Sequence, residues 1–249
     1  MTRALPPGPY LVVDADTCAA AARRPADVAR VAVAAGVRVL QVRAKRAPVR
    51  DLVAFTVDVT RAVDGTGALV IVDDRVDVAL AARGRGCAVA GVHVGQGDLD
   101  VADVRRLLGD DAVVGVSAAT AEHLARVDAD VADYVGVGPV RGTATKPDAG
   151  PPLGLDGLRV AADLSPLPVV AIGGLGVADV AEVRAAGAHG IAVVSAVCAA
   201  PDPARASAAL VAAWTGAGRA TAAAVGTAAA TDVTASAATA SGAAARVTR

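Results

Sequence analysis

Aromatic residues and cysteines are scarce in this 249-residue chain, which has one Phe, two Tyr, one Trp and three Cys. Cys18, Cys87 and Cys198 lie far apart and form no CxxC pair, so the sequence shows no sign of a zinc or dithiol redox centre. We interpret them as small buried residues. Because 54% of the residues are hydrophobic and rings are few, the core must be filled mainly by small branched side chains.

Net charge and long apolar runs are also lacking. The formal net charge is -1, so no overall positive field would draw the chain to nucleic acid or an anionic membrane. The opening residues MTRALPPGPY contain no apolar segment long enough for a signal peptide or a transmembrane helix. We therefore expect a cytoplasmic protein that binds small molecules, with a homo-oligomer as one option for its assembly. Any bound anion must then be held by local charges.

Short β-branched runs alternate with longer Ala-rich stretches, which is typical of repeated βα units around a parallel sheet. Eight such units predict the α/β class and a (β/α)8 TIM barrel, a fold that uses about 200 to 250 residues. The strand candidates are Tyr10–Val13, Val37–Val42, Ala68–Val72, Ala90–His93, Ala112–Val116, Asp133–Val137, Pro168–Ile172 and Gly190–Val194.

A change of composition near Gly216 predicts the domain boundary. Residues 1–215 are expected to form the barrel, and residues 216–249 are rich in Ala, Thr, Gly and Ser with few large apolar residues. Such a composition buries too little surface to offset the entropy of ordering, so we predict a disordered or weakly helical tail. A partner-binding tail is the alternative.

Polar residues directly after the strands are the candidate site residues, because barrel active sites form at the carboxyl ends of the strands. Strand two ends in Gln41-Val42-Arg43-Ala44-Lys45, and alternation places Gln41, Arg43 and Lys45 on one side. Two cations on a buried strand favour a phosphate or diphosphate partner. A salt-bridge layer inside the barrel is the alternative interpretation.

Carboxylates follow the next two strands. Strand three ends in Asp73-Asp74-Arg75, and Asp98 follows strand four. Asp74 and Asp98 make a plausible magnesium pair, because this ion uses one or two carboxylates together with substrate phosphate and water. The alternative interpretation is that these aspartates bind no metal and only form a turn and cap a helix. His93, at the end of strand four, is interpreted as a hydrogen-bonded core histidine.

Two later loops have the composition of phosphate sites. The loop after strand six contains Thr143, Thr145 and Lys146, whose hydroxyls and charge suit a diphosphate. Strand seven ends in Ile172-Gly173-Gly174, and strand eight ends in Val194-Ser195. In barrels these last two loops commonly bind phosphate, because glycines let backbone N–H groups approach the anion.

With these residues in place, the chain from Tyr10 to Trp214 resembles the thiamine-phosphate synthase family. The resemblance rests on the order of eight motifs, each at a strand end. They are YLVVD at Tyr10, QVRAK at Gln41, DDRVDVA at Asp73, GVHVGQGD at Gly91, GVSAAT at Gly115, YVGVGPV with TATKPDAG from Tyr134, VAIGGL at Val170 and GIAVVSAV at Gly190.

The resemblance implies a role for each candidate residue. It implies Mg²⁺ as the cofactor, held by Asp74 and Asp98, and it makes Ser117 and Lys146 the catalytic residues. The residues implied to bind a pyrimidine diphosphate are Gln41, Arg43, Lys45, Asp73, Ser117 and Lys146. Those implied to bind a thiazole phosphate are Thr143, Thr145, Gly174, Val194 and Ser195.

The implied reaction joins hydroxymethylpyrimidine diphosphate to a thiazole phosphate. Pyrophosphate leaves, a pyrimidine-stabilised carbocation remains, and the thiazole nitrogen captures it. Whether the thiazole carries an extra carboxylate is left open. Two alternatives are a thiazole tautomerase on the same barrel and a non-catalytic barrel that binds thiazole or thiamine phosphate.

Three positions depart from the family pattern. Asp73 stands where Asn is usual, Ala119 where His is common, and Arg141 with Gly142 where an aromatic residue and a proline are usual. Ala119 removes the His that a tautomerase would use as general acid/base, which favours the synthase. The carboxylate of Asp73 would repel a diphosphate unless a metal or Arg75 neutralises it.

Overall fold

The computed structural model describes residues 4–143, residue 145 and residues 150–216. Its strands are β1 (Gly8–Asp14), β2 (Val39–Arg43), β3 (Leu69–Asp73), β4 (Val89–Val94), β5 (Val113–Ser117), β6 (Tyr134–Val137), β7 (Val169–Ala171) and β8 (Gly190–Val193). All eight are parallel, follow sequence order and close into a barrel by pairing of β1 with β8. The predicted (β/α)8 barrel is confirmed, with strand ends that differ from the prediction by at most two residues.

Helices connect the strands and surround the barrel. They are α1 (Ala15–Ala20), α2 (Pro25–Ala34), α3 (Val49–Ala62), α4 (Val76–Arg83), α5 (Val101–Leu108), α6 (Ala121–Ala125), α7 (Gly154–Leu164), α8 (Val180–Ala185), α9 (Ser195–Cys198) and α10 (residues 203–216), with a 3₁₀ turn at Val177–Asp179. Asp14, Asp100 and Thr120 accept hydrogen bonds from the first turns of α1, α5 and α6, which fixes where those helices begin. None of the described helices combines the length and the apolar character needed to cross a bilayer.

Two hydrophobic layers lie on opposite faces of the sheet, because successive side chains of a strand alternate in direction. The larger layer packs between the sheet and the helices and contains Cys18, Cys87 and Cys198, which are buried as predicted. The smaller layer fills the barrel interior. Its members are Leu5, Tyr10, Val12, Val39, Ile71, Ala90, Val113, Tyr134, Val170 and Ala192.

The register of the first two strands places polar side chains at one rim. Val12 is level with Gln41, and Asp14 is level with Arg43, at the carboxyl ends of β1 and β2. Of the expected functional segments, Lys146 and residues 217–249 lie outside the described residues.

Candidate active site

A cavity of about 300 Å³ lies at the carboxyl ends of the strands. Every predicted site residue within the described part of the chain lines it. These residues are Gln41, Arg43, Lys45, Asp73, Asp74, Asp98, Ser117, Thr143, Thr145, Gly174, Val194 and Ser195. The structure therefore brings together side chains that the sequence placed on seven different loops or strand ends.

Arg43 is held at the cavity wall by a buried carboxylate. Its Nη1 lies 2.5 Å from Oδ2 of Asp14, whose side chain is 2% exposed. The other oxygen, Oδ1, accepts hydrogen bonds from the backbone N (2.8 Å) and the hydroxyl (2.7 Å) of Thr17. Asp14 was not among the predicted site residues. The sequence does contain one indication of its role, because Asp14 is a carboxylate at the end of β1, the strand next to β2.

Lys45 contacts two carboxylates at once. Its Nζ lies 3.3 Å from Oδ2 of Asp73 and also pairs with Oδ2 of Asp74. Arg43 Nε is 3.7 Å from the same Asp73 oxygen. The ion pairs expected of a salt-bridge layer, which was the alternative interpretation, are thus present. Both cations nevertheless line the cavity, and the Lys45 side chain is 43% exposed.

The Asp73 carboxylate is neutralised by Lys45 and Arg43 and not by Arg75. Arg75 turns away and pairs with Asp77, with Nε 2.9 Å from Oδ1 and Nη2 2.5 Å from Oδ2. Lys45 and Arg43 take its place beside Asp73. Burial raises the pKa of the Asp73 carboxyl above its ordinary value, and the two cations oppose that shift.

Asp74 and Asp98 both line the cavity. Oδ2 of Asp98 accepts a hydrogen bond of 2.8 Å from the backbone N of Gly95, and Asp74 is held by Lys45. Within the residues that the structure describes, no group of three His, Cys, Asp or Glu forms a potential metal centre. Any ion bound here would take its remaining ligands from substrate and water.

The opposite side of the cavity is built from two packed loops. Val140 N donates to Ile172 O at 2.9 Å and Arg141 N donates to Gly173 O at 3.0 Å, which joins the loop after β6 to the turn after β7. At Gly174 the φ angle is 62°, and a Cβ atom would lie 2.3 Å from the carbonyl oxygen of Gly142. This close approach requires glycine.

Comparisons with known proteins identify the family of the chain. A family model described as Thiamine monophosphate synthase matches residues 9–197. The chain belongs to the thiamine monophosphate synthase family. The thiamine-phosphate synthase of Corynebacterium efficiens is 52% identical over 171 residues, which are 64% of this chain and 79% of that protein. The thiamine-phosphate synthase of Roseiflexus sp. is 44% identical over 176 residues, 71% of this chain and 72% of that protein.

A solved structure supports the same assignment. Thiamine phosphate pyrophosphorylase from Pyrococcus furiosus superposes with a TM-score of 0.74 and 30% identity, covering 84% of this chain and 96% of that chain. Three positions of the chain depart from the family pattern, and the structure shows the surroundings of each. Asp73 is paired as described above, and Ala119 lines the cavity without contributing an acid or a base.

Arg141, the third departure from the thiamine monophosphate synthase pattern, anchors its loop. Its Nε lies 2.6 Å from Oδ1 of Asp179, and its Nη2 lies 3.1 Å from Oε2 of Glu182. The other oxygen of Asp179 accepts from the backbone N of Gly176 at 2.8 Å. The loop carrying Thr143 and Thr145 is therefore tied to the beginning of α8.

Ser117, the last residue of β5, lines the cavity. Its Oγ lies 3.0 Å from Nε2 of His93, and its carbonyl oxygen accepts a hydrogen bond of 2.6 Å from Gln96 Nε2. His93 is hydrogen-bonded, as interpreted from the sequence, but it also lines the cavity. Tyr10 and Tyr134, which the sequence analysis did not single out, also line the cavity and belong to the layer inside the barrel, so they form the cavity floor.

Proposed function

We propose that this chain is a thiamine-phosphate synthase, a transferase of thiamine biosynthesis that joins hydroxymethylpyrimidine diphosphate to a thiazole phosphate and releases pyrophosphate. One observation carries the proposal: a single cavity has cations on one side and glycine-rich strand ends on the other. Such a cavity suits two phosphorylated substrates held side by side. The cytoplasm is the proposed location, since the proposed substrates are small phosphorylated metabolites.

Arg43 and Lys45 are proposed to bind the diphosphate. Arg43 presents a planar set of donors suited to phosphate oxygens, and its pair with Asp14 fixes the guanidinium before substrate arrives. Lys45 is the more exposed cation and can turn from its carboxylates to a phosphate oxygen. Gln41 lines the same side of the cavity and adds neutral donors, and Lys146 is proposed to complete the set.

The thiazole phosphate is proposed to bind against the ends of β7 and β8. Gly173 and Gly174 expose backbone there, and Val194 and Ser195 follow β8 directly. Backbone N–H groups in such a turn suit a phosphate. Thr143 and Thr145 line the cavity beside them and supply hydroxyls.

Asp74 and Asp98 are proposed to hold a magnesium ion. Two carboxylates on one cavity fit this ion, which ordinarily keeps several water and phosphate ligands. When bound, the ion supplies positive charge that stabilises the departing pyrophosphate. Lys45 pairs with Asp74, so the lysine and the ion would compete for one carboxylate.

The proposed chemistry needs positioning and charge rather than a protein nucleophile. The bond between the pyrimidine methylene carbon and the diphosphate oxygen breaks, and pyrophosphate leaves with the electron pair. The lone pair of the thiazole nitrogen then forms the new carbon–nitrogen bond. Arg43 and Lys45 stabilise the charge that develops on the leaving group, and the cavity walls hold the thiazole nitrogen beside the carbon.

Release of pyrophosphate tests the proposal. Full-length protein mixed with the pyrimidine diphosphate, the thiazole phosphate and Mg²⁺ should release pyrophosphate and form thiamine phosphate. Isomerisation of a thiazole phosphate alone would identify a tautomerase, and binding without turnover would identify a non-catalytic barrel. Either result without pyrophosphate release would contradict the synthase.

A matched pair of arginine variants tests the division of the cavity. By calorimetry, Arg43→Ala should lose binding of the pyrimidine diphosphate and keep binding of the thiazole phosphate. Arg46→Ala is the control, because Arg46 is 80% exposed and pairs only with Asp16 among the described residues. Equal loss of both substrates in Arg43→Ala would show that the substitution disturbs the barrel instead.

A further inference from the structure

A chain of five hydrogen-bonded side chains runs along the wall of the cavity, from Gln41 to Ser117. Gln41 Nε2 lies 3.1 Å from Tyr10 Oη, and Tyr10 Oη lies 2.9 Å from Tyr134 Oη. Tyr134 Oη lies 3.0 Å from His93 Nδ1, and His93 Nε2 lies 3.0 Å from Ser117 Oγ. We call these five residues the relay. All five line the cavity.

The barrel interior makes room for the relay. A Cβ atom at Gly115 would lie 2.2 Å from Cζ of Tyr134 and 2.5 Å from Nδ1 of His93. A Cβ atom at Gly136 would lie 2.9 Å from Cε1 of His93. Glycines on β5 and β6 therefore provide the space in which the imidazole and phenol rings meet, with centroids 5.3 Å apart. The relay also uses both tyrosines of the chain.

The two phenols remain protonated. Burial raises the pKa of both Tyr10 and Tyr134 well above the ordinary value. Each phenol therefore has one proton to donate and can accept further hydrogen bonds on its oxygen. Because both rings are buried, each proton needs an acceptor within the protein.

These proton counts give the relay a direction. Gln41 Nε2 donates to Tyr10 Oη, so the Tyr10 proton is directed to Tyr134. Tyr134 then donates to His93 Nδ1, which makes that nitrogen the acceptor and leaves the proton of the neutral imidazole on Nε2. The opposite direction would leave the buried Tyr10 proton without an acceptor in the relay.

We propose that Gln41, through Tyr10, Tyr134 and His93, holds the Ser117 hydroxyl as a hydrogen-bond acceptor from His93, so that its own proton is directed into the cavity. His93 and the two tyrosines are positioning residues that act through Ser117. The inference rests on the proposed function for the identity of the acceptor in the cavity, an oxygen or ring nitrogen of the pyrimidine diphosphate. A preset donor of this kind needs no reorientation when substrate binds.

The tautomer of His93 tests the direction without any reference to activity. In ¹⁵N-labelled full-length protein, the His93 signals are assigned by their disappearance in His93→Gln, since the chain has three histidines. We expect a neutral ring protonated on Nε2, with Nδ1 as acceptor. A ring protonated on Nδ1 would overturn the proposal, whether or not the protein proves to be a synthase.

Gln41→Glu tests the origin of the direction. A carboxylate in place of the amide would accept the Tyr10 proton, so the whole relay should reverse and the His93 proton should move to Nδ1. An unchanged tautomer in this folded variant would show that Gln41 does not set the direction. Circular dichroism and the melting temperature establish that the variant is folded.

Kinetics of the relay variants test its effect on Ser117. If the protein is a synthase, Tyr134→Phe should lower kcat by about fivefold to tenfold, the effect of one lost hydrogen bond, and leave KM for the thiazole phosphate unchanged. His93→Gln, which keeps a side-chain donor, should retain more activity than His93→Ala. His189→Gln is the control, because Nε2 of His189 contacts the Leu5 carbonyl oxygen at the other end of the barrel. Equal activity of His93→Gln and His93→Ala, or an unchanged kcat in Tyr134→Phe, would overturn the proposed role.

Discussion

Arg43 and Asp14 form an ion pair in which the carboxylate is almost wholly buried and the guanidinium faces the cavity. The pair joins β1 to β2 at the rim, and the hydrogen bonds from Thr17 fix the carboxylate at the beginning of α1. An arginine held in this way loses little conformational freedom when it binds a phosphate. The buried partner is therefore as important to the proposed diphosphate site as the cation itself.

Asp14→Asn should weaken use of the pyrimidine diphosphate. The amide can still cap α1 but no longer neutralises Arg43, so kcat/KM for this substrate should fall by about tenfold to a hundredfold. Asp16→Asn is the matched control, because Asp16 pairs with the exposed Arg46 and should change kcat/KM by less than about twofold. Steady-state kinetics at saturating thiazole phosphate measure both. A fall of similar size in the two variants would contradict a specific role for Asp14.

Asp73→Asn should keep or raise synthase activity. The carboxylate competes with a diphosphate for Lys45 and Arg43, and an amide would end that competition while Arg43 keeps its pair with Asp14 and Lys45 its pair with Asp74. We expect KM for the pyrimidine diphosphate to stay the same or fall at constant Mg²⁺. A large loss of kcat would instead show that Asp73 has a role of its own in binding or catalysis.

The stability of the same variant should depend on pH. Burial raises the pKa of Asp73 in the folded chain, so its contribution to stability is fully present below the unfolded pKa and is lost as pH rises through the folded pKa. At pH 7 the ionised carboxyl therefore lowers the free energy of unfolding. In metal-free buffer, Asp73→Asn should melt above the wild type at pH 7, and the difference should shrink toward about pH 4, near the ordinary pKa of Asp.

Asp77→Asn provides the control of opposite sign. Arg75 holds the pKa of the Asp77 carboxyl below its ordinary value, so this pair contributes stability above the unfolded pKa that is lost as pH falls. Its loss at pH 7 should lower the melting temperature slightly, because both side chains are largely exposed. Parallel changes in the two variants would contradict the pKa argument for Asp73.

Gly174→Ala should disrupt the thiazole side of the cavity. A methyl group there meets the Gly142 carbonyl oxygen, so the loop after β6 must move away from the turn after β7. We expect at least about a tenfold rise in KM for the thiazole phosphate, with a lower melting temperature. Gly176→Ala is the control, because a Cβ atom at Gly176 would have no neighbour within 4 Å among the described residues. Similar KM values for the two variants would refute the packing argument.

Arg141→Ala should loosen the loop that carries Thr143 and Thr145 without destabilising the barrel. The substitution removes the ion pairs with Asp179 and Glu182. Because the Arg141 side chain in these pairs is exposed, the free energy of unfolding should change by less than about 1 kcal/mol. The KM for the thiazole phosphate should rise severalfold, and that for the pyrimidine diphosphate should rise as well, because Lys146 of the same loop is proposed to bind the diphosphate. Arg159→Ala, which removes an exposed pair with Asp156, should alter neither KM.

The strands and the cavity lining could be predicted because each depends on local sequence. Short β-branched runs mark the strands, and residues directly after them reach the rim of a parallel barrel in any register. This was enough to place Arg43, Asp98 and Thr143 on one cavity, whereas Ser117 came only from the family resemblance.

The partners of these residues could not be predicted in the same way. From the sequence alone, Asp14 would be interpreted as an ordinary helix cap. Only the register of β1 against β2 places it opposite Arg43. Asp179 lies 38 residues from Arg141, so their pairing depends on how two loops pack. Arg75, one of the two groups that the sequence offered to neutralise Asp73, pairs instead with Asp77, two residues further along the chain.

The placement of Tyr10 and Tyr134 also gives the protein an intrinsic optical label. The chain contains no other tyrosine, and its single tryptophan, Trp214, lies beside Gly8 at the amino end of β1. Tyrosine bands in ultraviolet resonance Raman spectra therefore report on the floor of the cavity alone. Substrate entry, exchange of solvent deuterium and changes at Ser117 can be followed in the unmodified protein, with no fluorophore or isotope label attached.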